Sequence, residues 1–197
     1  MDRLLAFEAL LLKWQGKINL ISPNTLNSLW NRHILDSAQL AGLAPAYART
    51  WVDIGSGAGF PGLVVAILLR ERAEFRAFLV ESDQRKGAFL SEAIRVTGAR
   101  AEVHMVRIED FVPETPPDVV SARALAPLGQ ILAWTSSFWG KDTIGLFPKG
   151  RTAAEELTQA AKDWIFEHEA IASQSDPSGT VLKLWGLNHA NPRHANR

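Results

Sequence analysis

The sequence predicts an α/β fold: a mostly parallel sheet covered by helices on both faces, preceded by a small helical unit. Three observations carry this expectation. From Trp51 onward, apolar runs of strand length alternate with helical stretches. The first run ends in a glycine-rich turn, WVDIGSGAGFPG, which gives way to the helical LVVAILL. The residues before it keep a helical rather than an alternating period.

Leu4, Phe7, Leu11 and Trp14 form one apolar stripe, so residues 1–16 read as an amphipathic helix; Glu8 interrupts the run and no small-residue cleavage site follows, which argues against a signal peptide. Ser22-Pro23-Asn24 breaks the pattern. Leu26, Leu29, Trp30, Ile34 and Leu40 resume it over 25–41, with Gly42 and Pro45 as closing signals. Strands are expected at 51–55, 75–82, 101–107, 117–123, 142–149, 164–172 and 179–187, with helices at 61–72, 84–97, 127–138 and 152–162. Only SQSDPSG separates the last two strands. A parallel pair needs a longer crossover, so an antiparallel hairpin at one edge is expected. The domain division that follows is 1–50 helical extension, 51–188 sheet domain and 189–197 a frayed polar tail.

Composition bounds the function. Lys plus Arg and Asp plus Glu each number 21 in 197 residues, so net charge points to neither nucleic acid nor membrane. A local basic face would still allow an RNA partner. The absence of Cys removes disulfides, thiolate metal sites and cysteine nucleophiles, and suits a cytoplasmic protein. The longest apolar run, 63–69, is too short to span a bilayer, so a soluble chain is expected. His104, His168, His189 and His194 show no ligand spacing, so no metal is expected.

The glycine turn satisfies G-x-G-x-x-G through Gly57, Gly59 and Gly62, a pattern shared by dinucleotide and S-adenosylmethionine (SAM) sites. Asp53 tilts the choice: a carboxylate entering the turn would repel a pyrophosphate but complement the cationic amino-acid end and sulfonium of SAM. The plainer alternative is that Asp53 only ties the loop together. Glu81, ending the second strand, stands where an acid grips ribose hydroxyls. The single Tyr47 has no Lys four residues on, so the commonest compact dehydrogenase pairing is missing. Glu109 and Asp110 lie where the third loop would reach an adenine, or form a solvated acidic loop.

KWQGKINLIS (13–22), LWNRHILDS (29–37), DIGSGAGFPG (53–62), SARALAPL (121–128) and PKG (148–150) occur in the order of one family. Over residues 7–150 the chain resembles the ribosomal RNA small subunit methyltransferase G family, also called glucose-inhibited division protein B. The resemblance implies a class I SAM-dependent fold with a seven-stranded sheet and an antiparallel last strand. It implies methylation of guanine N7 in the 530 loop of 16S ribosomal RNA, with the small ribosomal subunit as partner, and a monomer is expected. It places cofactor contacts on Gly55 and Phe60, on Ile108 and Glu109, and on Arg123; Glu81 stands where the family often has Asp. Lys149 is carried over as the lysine of PKG, and with Arg123 forms the catalytic pair of candidates.

Guanine N7 carries no proton at neutral pH, so its methylation needs alignment and exclusion of water rather than a general base, and the sequence offers no obvious base. Pyrimidine carbon-5 methylation would use a Cys, and exocyclic amine methylation an N/D-P-P-Y/F/W motif where this chain has SARA. Arg123 can hold the SAM carboxylate or a substrate phosphate. Arg32, His33 and Lys149, with Arg193 and Arg197 of the tail, could make a basic mouth for RNA. The spacing of His33 and Asp36 puts them on one helix face, either to orient His33 or as a structural hydrogen bond. Alternatives are a SAM methyltransferase for a small molecule, a nucleotide-binding oxidoreductase, and a non-catalytic SAM- or nucleotide-binding module.

Overall fold

A computed structural model describes residues 1–191; the tail cations Arg193 and Arg197 lie outside the described residues. Seven strands form one sheet in the order β3-β2-β1-β4-β5-β7-β6. They are β1 (Thr50–Ile54), β2 (Arg76–Val80), β3 (Ala101–His104), β4 (Val119–Ser121), β5 (Ile144–Lys149), β6 (Trp164–Ala172) and β7 (Thr180–His189). The first five pair in parallel, whereas β7 runs antiparallel to both β5 and β6. The hairpin expected at one edge is therefore there, with its second strand inserted between β5 and β6. The last strand continues to His189, the first residue of the expected polar tail.

Helices α3 (Gly62–Leu68), α4 (Gln84–Thr97), α5 (Leu128–Thr135) and α6 (Ala153–Ala160) cover the sheet. Central β1 is buried from Trp51 to Ile54, as expected for a parallel strand covered on both faces. Two apolar cores result, one per face. Leu63, Val64 and Leu79 lie in the first; Ile54, Leu128 and Phe147 lie in the second. The sequence sets the bounds of α4 clearly. Asp83 caps it by accepting from the Arg85 and Lys86 amides, and Gly98 ends it at φ 61°, the left-handed cap where glycine has no Cβ penalty.

The N-terminal helices share the first core. On α1 (Asp2–Gln15) the buried residues are Leu4, Phe7 and Leu11, and the Phe7 ring lies 5.5 Å from Phe60 of the glycine turn. The single helix expected over 25–41 is instead three pieces: a 3-10 segment Pro23–Ser28, a π-helical turn Trp30–Leu35, and α2 (Asp36–Leu43). Pro23 starts the first piece, and Pro45 holds Ala44 extended (ψ 142°) beyond the last. A π-helical turn is uncommon and often sits at a functional site, and this one meets Arg123.

Strand order reverses between β1 and β4, which opens a crevice beyond their carboxyl ends. Strand β4 is only three residues long, so Ala122 and Arg123 leave the sheet and Arg123 enters that crevice. No helix among the described residues is long and apolar enough to cross a membrane.

Candidate functional site

A cleft of about 560 Å³ lies over the glycine turn. Gly55, Ser56, Gly57, Ala58 and Phe60 line its floor, Glu81 and Lys86 one side, and Val106, Arg107, Ile108 and Glu109 another. Gly57 takes φ 54°, and a Cβ there would touch nothing closer than the Gly55 carbonyl at 3.7 Å, so the missing side chain is open cleft. Its amide donates to Glu81 Oε2 (2.8 Å), and the Asp83 amide donates to Oε1 (2.8 Å). The Glu81 carboxylate thus fastens the turn to the start of α4, and each oxygen keeps a further lone pair for a ligand hydroxyl. The structure brings together Gly55, Gly57, Phe60, Glu81, Ile108, Glu109 and Arg123. Gly59 is absent from this lining; it packs inward, where a Cβ would lie 2.9 Å from Leu63.

Asp53 is placed differently from its expectation as a ligand contact. It is fully buried and does not line the cleft. Register pairs it with Ser121, whose hydroxyl donates to Asp53 Oδ1 (2.6 Å) and accepts from Trp51 Nε1 (2.7 Å). Oδ2 makes no hydrogen bond. Burial raises the carboxyl pKa to about 6, against the opposing effect of the Ser121 hydrogen bond. Above it, a Cβ on Gly62 would come within 2.5 Å of Asp53 Cβ, so glycine is required for α3 to start there. As placed, the Asp53 side chain bonds the neighbouring strand through Ser121 and packs against Gly62 at the start of α3.

A second cavity of about 540 Å³ adjoins the first. Thr25, His33, Arg123, Ala124 and Leu125 line both, so they form the partition between them. Arg123 is its centre. Nη1 donates to the Arg32 carbonyl (3.0 Å) and pairs with Asp36 Oδ2 (3.1 Å); Nη2 lies 2.7 Å from His33 Nδ1; the guanidinium sits 5.0 Å from the centre of the Phe60 ring. A guanidinium has donors only, so His33 Nδ1 must accept. The imidazole proton is then on Nε2, which donates to Thr25 Oγ1 (2.8 Å), and Thr25 donates on to the Ser22 carbonyl (2.8 Å). His33 is held neutral: burial, then Arg123, lower its pKa to about 4 despite the nearby Asp36. As placed, His33 offers RNA no positive charge. Its expected pairing with Asp36 runs through Arg123 instead, with both side chains bonded to the guanidinium.

Lys149 ends β5 with its side chain only 9% exposed, bonded to Glu156 Oε2 (2.7 Å) and the Ala126 carbonyl (2.9 Å). It lines the second cavity, but its charge is taken up internally rather than presented to a phosphate. Glu156 is held below the usual carboxylate range: burial pushes its pKa up, and Lys149 and the Leu128 amide outweigh that. Arg32 is the more open cation, 54% exposed and 3.6 Å from Asp176. The β6–β7 turn, through Ser173, Ser175 and Asp176, forms another wall. The sequence marked this segment only as a turn, and it gave no sign of Glu156, Thr25 or the cleft-side cations Lys86 and Arg107. Among the described residues no group of His, Cys, Asp and Glu could hold a metal ion.

Comparison with known proteins fits this architecture. A ribosomal protein L11 methylase from Lactobacillus delbrueckii subsp. bulgaricus matches with TM-score 0.59 at 16% identity over 75% of each chain, a likeness of fold alone. Sequence relatives are nearer. The ribosomal RNA small subunit methyltransferase G of Parvibaculum lavamentivorans is 59% identical over 95% of this chain and 83% of its own length. That of Rhodospirillum centenum is 53% identical over 93% and 83%. The family model for rRNA small subunit methyltransferase G matches residues 1–178. With a crevice at the strand-order reversal, a glycine turn open to it, and these matches across nearly all of its length, the chain belongs to the rRNA small subunit methyltransferase G family.

Proposed function

We propose that the protein transfers the methyl group of SAM to N7 of a guanine in the 530 loop of 16S ribosomal RNA, by in-line attack without a general base. SAM is the family's cofactor, and the residues over the glycine turn fit it. The backbone at Gly57 leaves room for close approach, Glu81 has lone pairs for ribose hydroxyls, and Ile108 gives an apolar wall for an adenine beside Glu109. When bound, SAM supplies an electrophilic methyl group on a sulfonium. The second cavity then takes the acceptor base, splayed from its strand, with Arg123 between the two partners.

The observation that carries the base-free reading is the state of His33. It is the imidazole on the partition, and its basic Nδ1 lone pair is already used by Arg123 at 2.7 Å. A group so engaged cannot accept a substrate proton, whereas guanine N7 has none to lose. The site's contribution is positioning, which can supply about 7–11 kcal/mol of a barrier. Residues 1–50 serve this as the acceptor-side wall, through Thr25, Arg32, His33 and Asp36.

The test is methyl transfer from labelled SAM to small subunits taken from a strain lacking the modification. Label is expected in the 16S RNA. Turnover of small molecules without any ribosomal particle, or SAM binding with no transfer at all, would instead support the rival readings.

A further inference from the structure

Asp36 holds two distant parts of the chain at once. Its Oδ2 pairs with Arg123 Nη1 at 3.1 Å, on the partition between the cavities. Its Oδ1 accepts from Ser175 Oγ (2.7 Å), in the β6–β7 turn 139 residues away, and from Gln39 Nε2 (3.0 Å). Gln39 repeats the link: its Nε2 lies 3.3 Å from Ser173 Oγ and its Oε1 accepts the Gln174 amide at 2.9 Å. Asn31 Nδ2 donates to the Ser175 carbonyl (2.9 Å). An edge-hairpin turn has no need of such ties, since turns of this kind are ordinarily solvated. Here its polar groups are engaged by the N-terminal helical unit, and the turn thereby forms one wall of the second cavity.

We propose that Asp36 is the positioning residue of the acceptor cavity: one carboxylate sets both Arg123 on the partition and the 173–179 turn on the outer wall. This rests on the reading that the second cavity receives the acceptor. The carboxylate lies 16% exposed, and its two oxygens divide the tasks, so the two can be separated by mutation. Asp36→Asn keeps the shape and leaves an oxygen for Ser175, but it removes the charge that holds Arg123 and can turn an amide donor toward a donor-only guanidinium. Ser175→Ala removes the Asp36 tie to the turn, while the Gln39 and Asn31 ties remain, and leaves the Arg123 pair in place.

The experiment compares kcat, KM for small subunits, and the SAM dissociation constant by calorimetry, at a temperature where circular dichroism shows each variant folded. Asp36→Asn is expected to lower kcat at least tenfold. Ser175→Ala is expected to raise KM for the subunit several-fold with kcat within about twofold. A wild-type rate per folded molecule in Asp36→Asn, or a Ser175→Ala variant with unaltered KM, overturns the assignment. A wild-type protein that methylates no subunit would overturn the proposed function instead, a separate result.

Discussion

Replacing Gly57 by Ala separates a ligand cradle from a packing requirement. At φ 54° the added Cβ costs about 1–2 kcal/mol of backbone strain. It meets no steric obstacle, the nearest atom being 3.7 Å away. For a chain of this size the loss corresponds to a melting-point drop of roughly 2–8 °C. The methyl group stands in the cleft beside the amide that Glu81 fixes, so the SAM dissociation constant should rise at least about tenfold, or about 1.4 kcal/mol. Gly62→Ala is the counterpart. Its Cβ would lie 2.5 Å from Asp53 Cβ, 2.6 Å from Leu79 Cδ2 and 2.7 Å from Asp53 Cγ, all in fully buried residues. Overpacking of that kind costs about 1–3 kcal/mol, so this variant should lose more stability relative to its loss of affinity. Thermal unfolding and calorimetry with SAM, run on both variants, give the four numbers. A Gly57→Ala variant that binds SAM within twofold of wild type would refute the placement of the cofactor over this turn.

Other outcomes follow from the same geometry. Asp53, raised from 3.8 to about 6, favours the fold when protonated, and that contribution is lost as pH rises through its folded value; against Asp53→Asn, wild type should lose on the order of 1 kcal/mol between pH 5 and 7 in urea titrations. His33, lowered to about 4, acts in the opposite sense, costing stability as pH falls below 6.5, and cancels in that difference because both proteins carry it. Lys149→Ala leaves the half-buried Glu156 with only the Leu128 amide and the Thr152 hydroxyl and should cost about 1–3 kcal/mol by denaturant unfolding, with Lys149→Met/Glu156→Leu recovering most of it. Arg123→Lys cannot serve Asp36, His33, the Arg32 carbonyl and the Phe60 ring together, so it should lose methyl transfer at least tenfold while circular dichroism stays native. Binding of small subunits should weaken steeply with salt in filter assays, despite the zero net charge; a flat dependence would assign the affinity to RNA shape.

Local chemistry was legible in the sequence, and side-chain partnerships across the chain were not. The strand alternation, the short SQSDPSG connection and the glycine cluster each depend on neighbours in sequence, and each forms as read. Asp53 shows the boundary. Its position before the glycines was plain, but β1 is buried on both faces, so no alternation reveals where its carboxylate points; the register with Ser121 decides that. Arg123 and Asp36 stand 87 residues apart, and Lys149 was read as a free cation because Glu156 lies on the following helix, brought back by the chain reversal after β5. The π-helical turn was hidden for a similar reason: apolar spacing over 25–41 fits an ordinary helix, and the tie between the Arg32 carbonyl and Arg123 is tertiary.

The central claim is a methyl group delivered to an unprotonated ring nitrogen across the Arg123 partition. Its most direct measurement is borohydride–aniline scission of 16S RNA from small subunits incubated with the protein and SAM, which cuts the chain at N7-methylguanine. A new SAM-dependent cut at one guanine of the 530 loop is the expected result. Methylated RNA that resists scission, or a cut elsewhere, would contradict it.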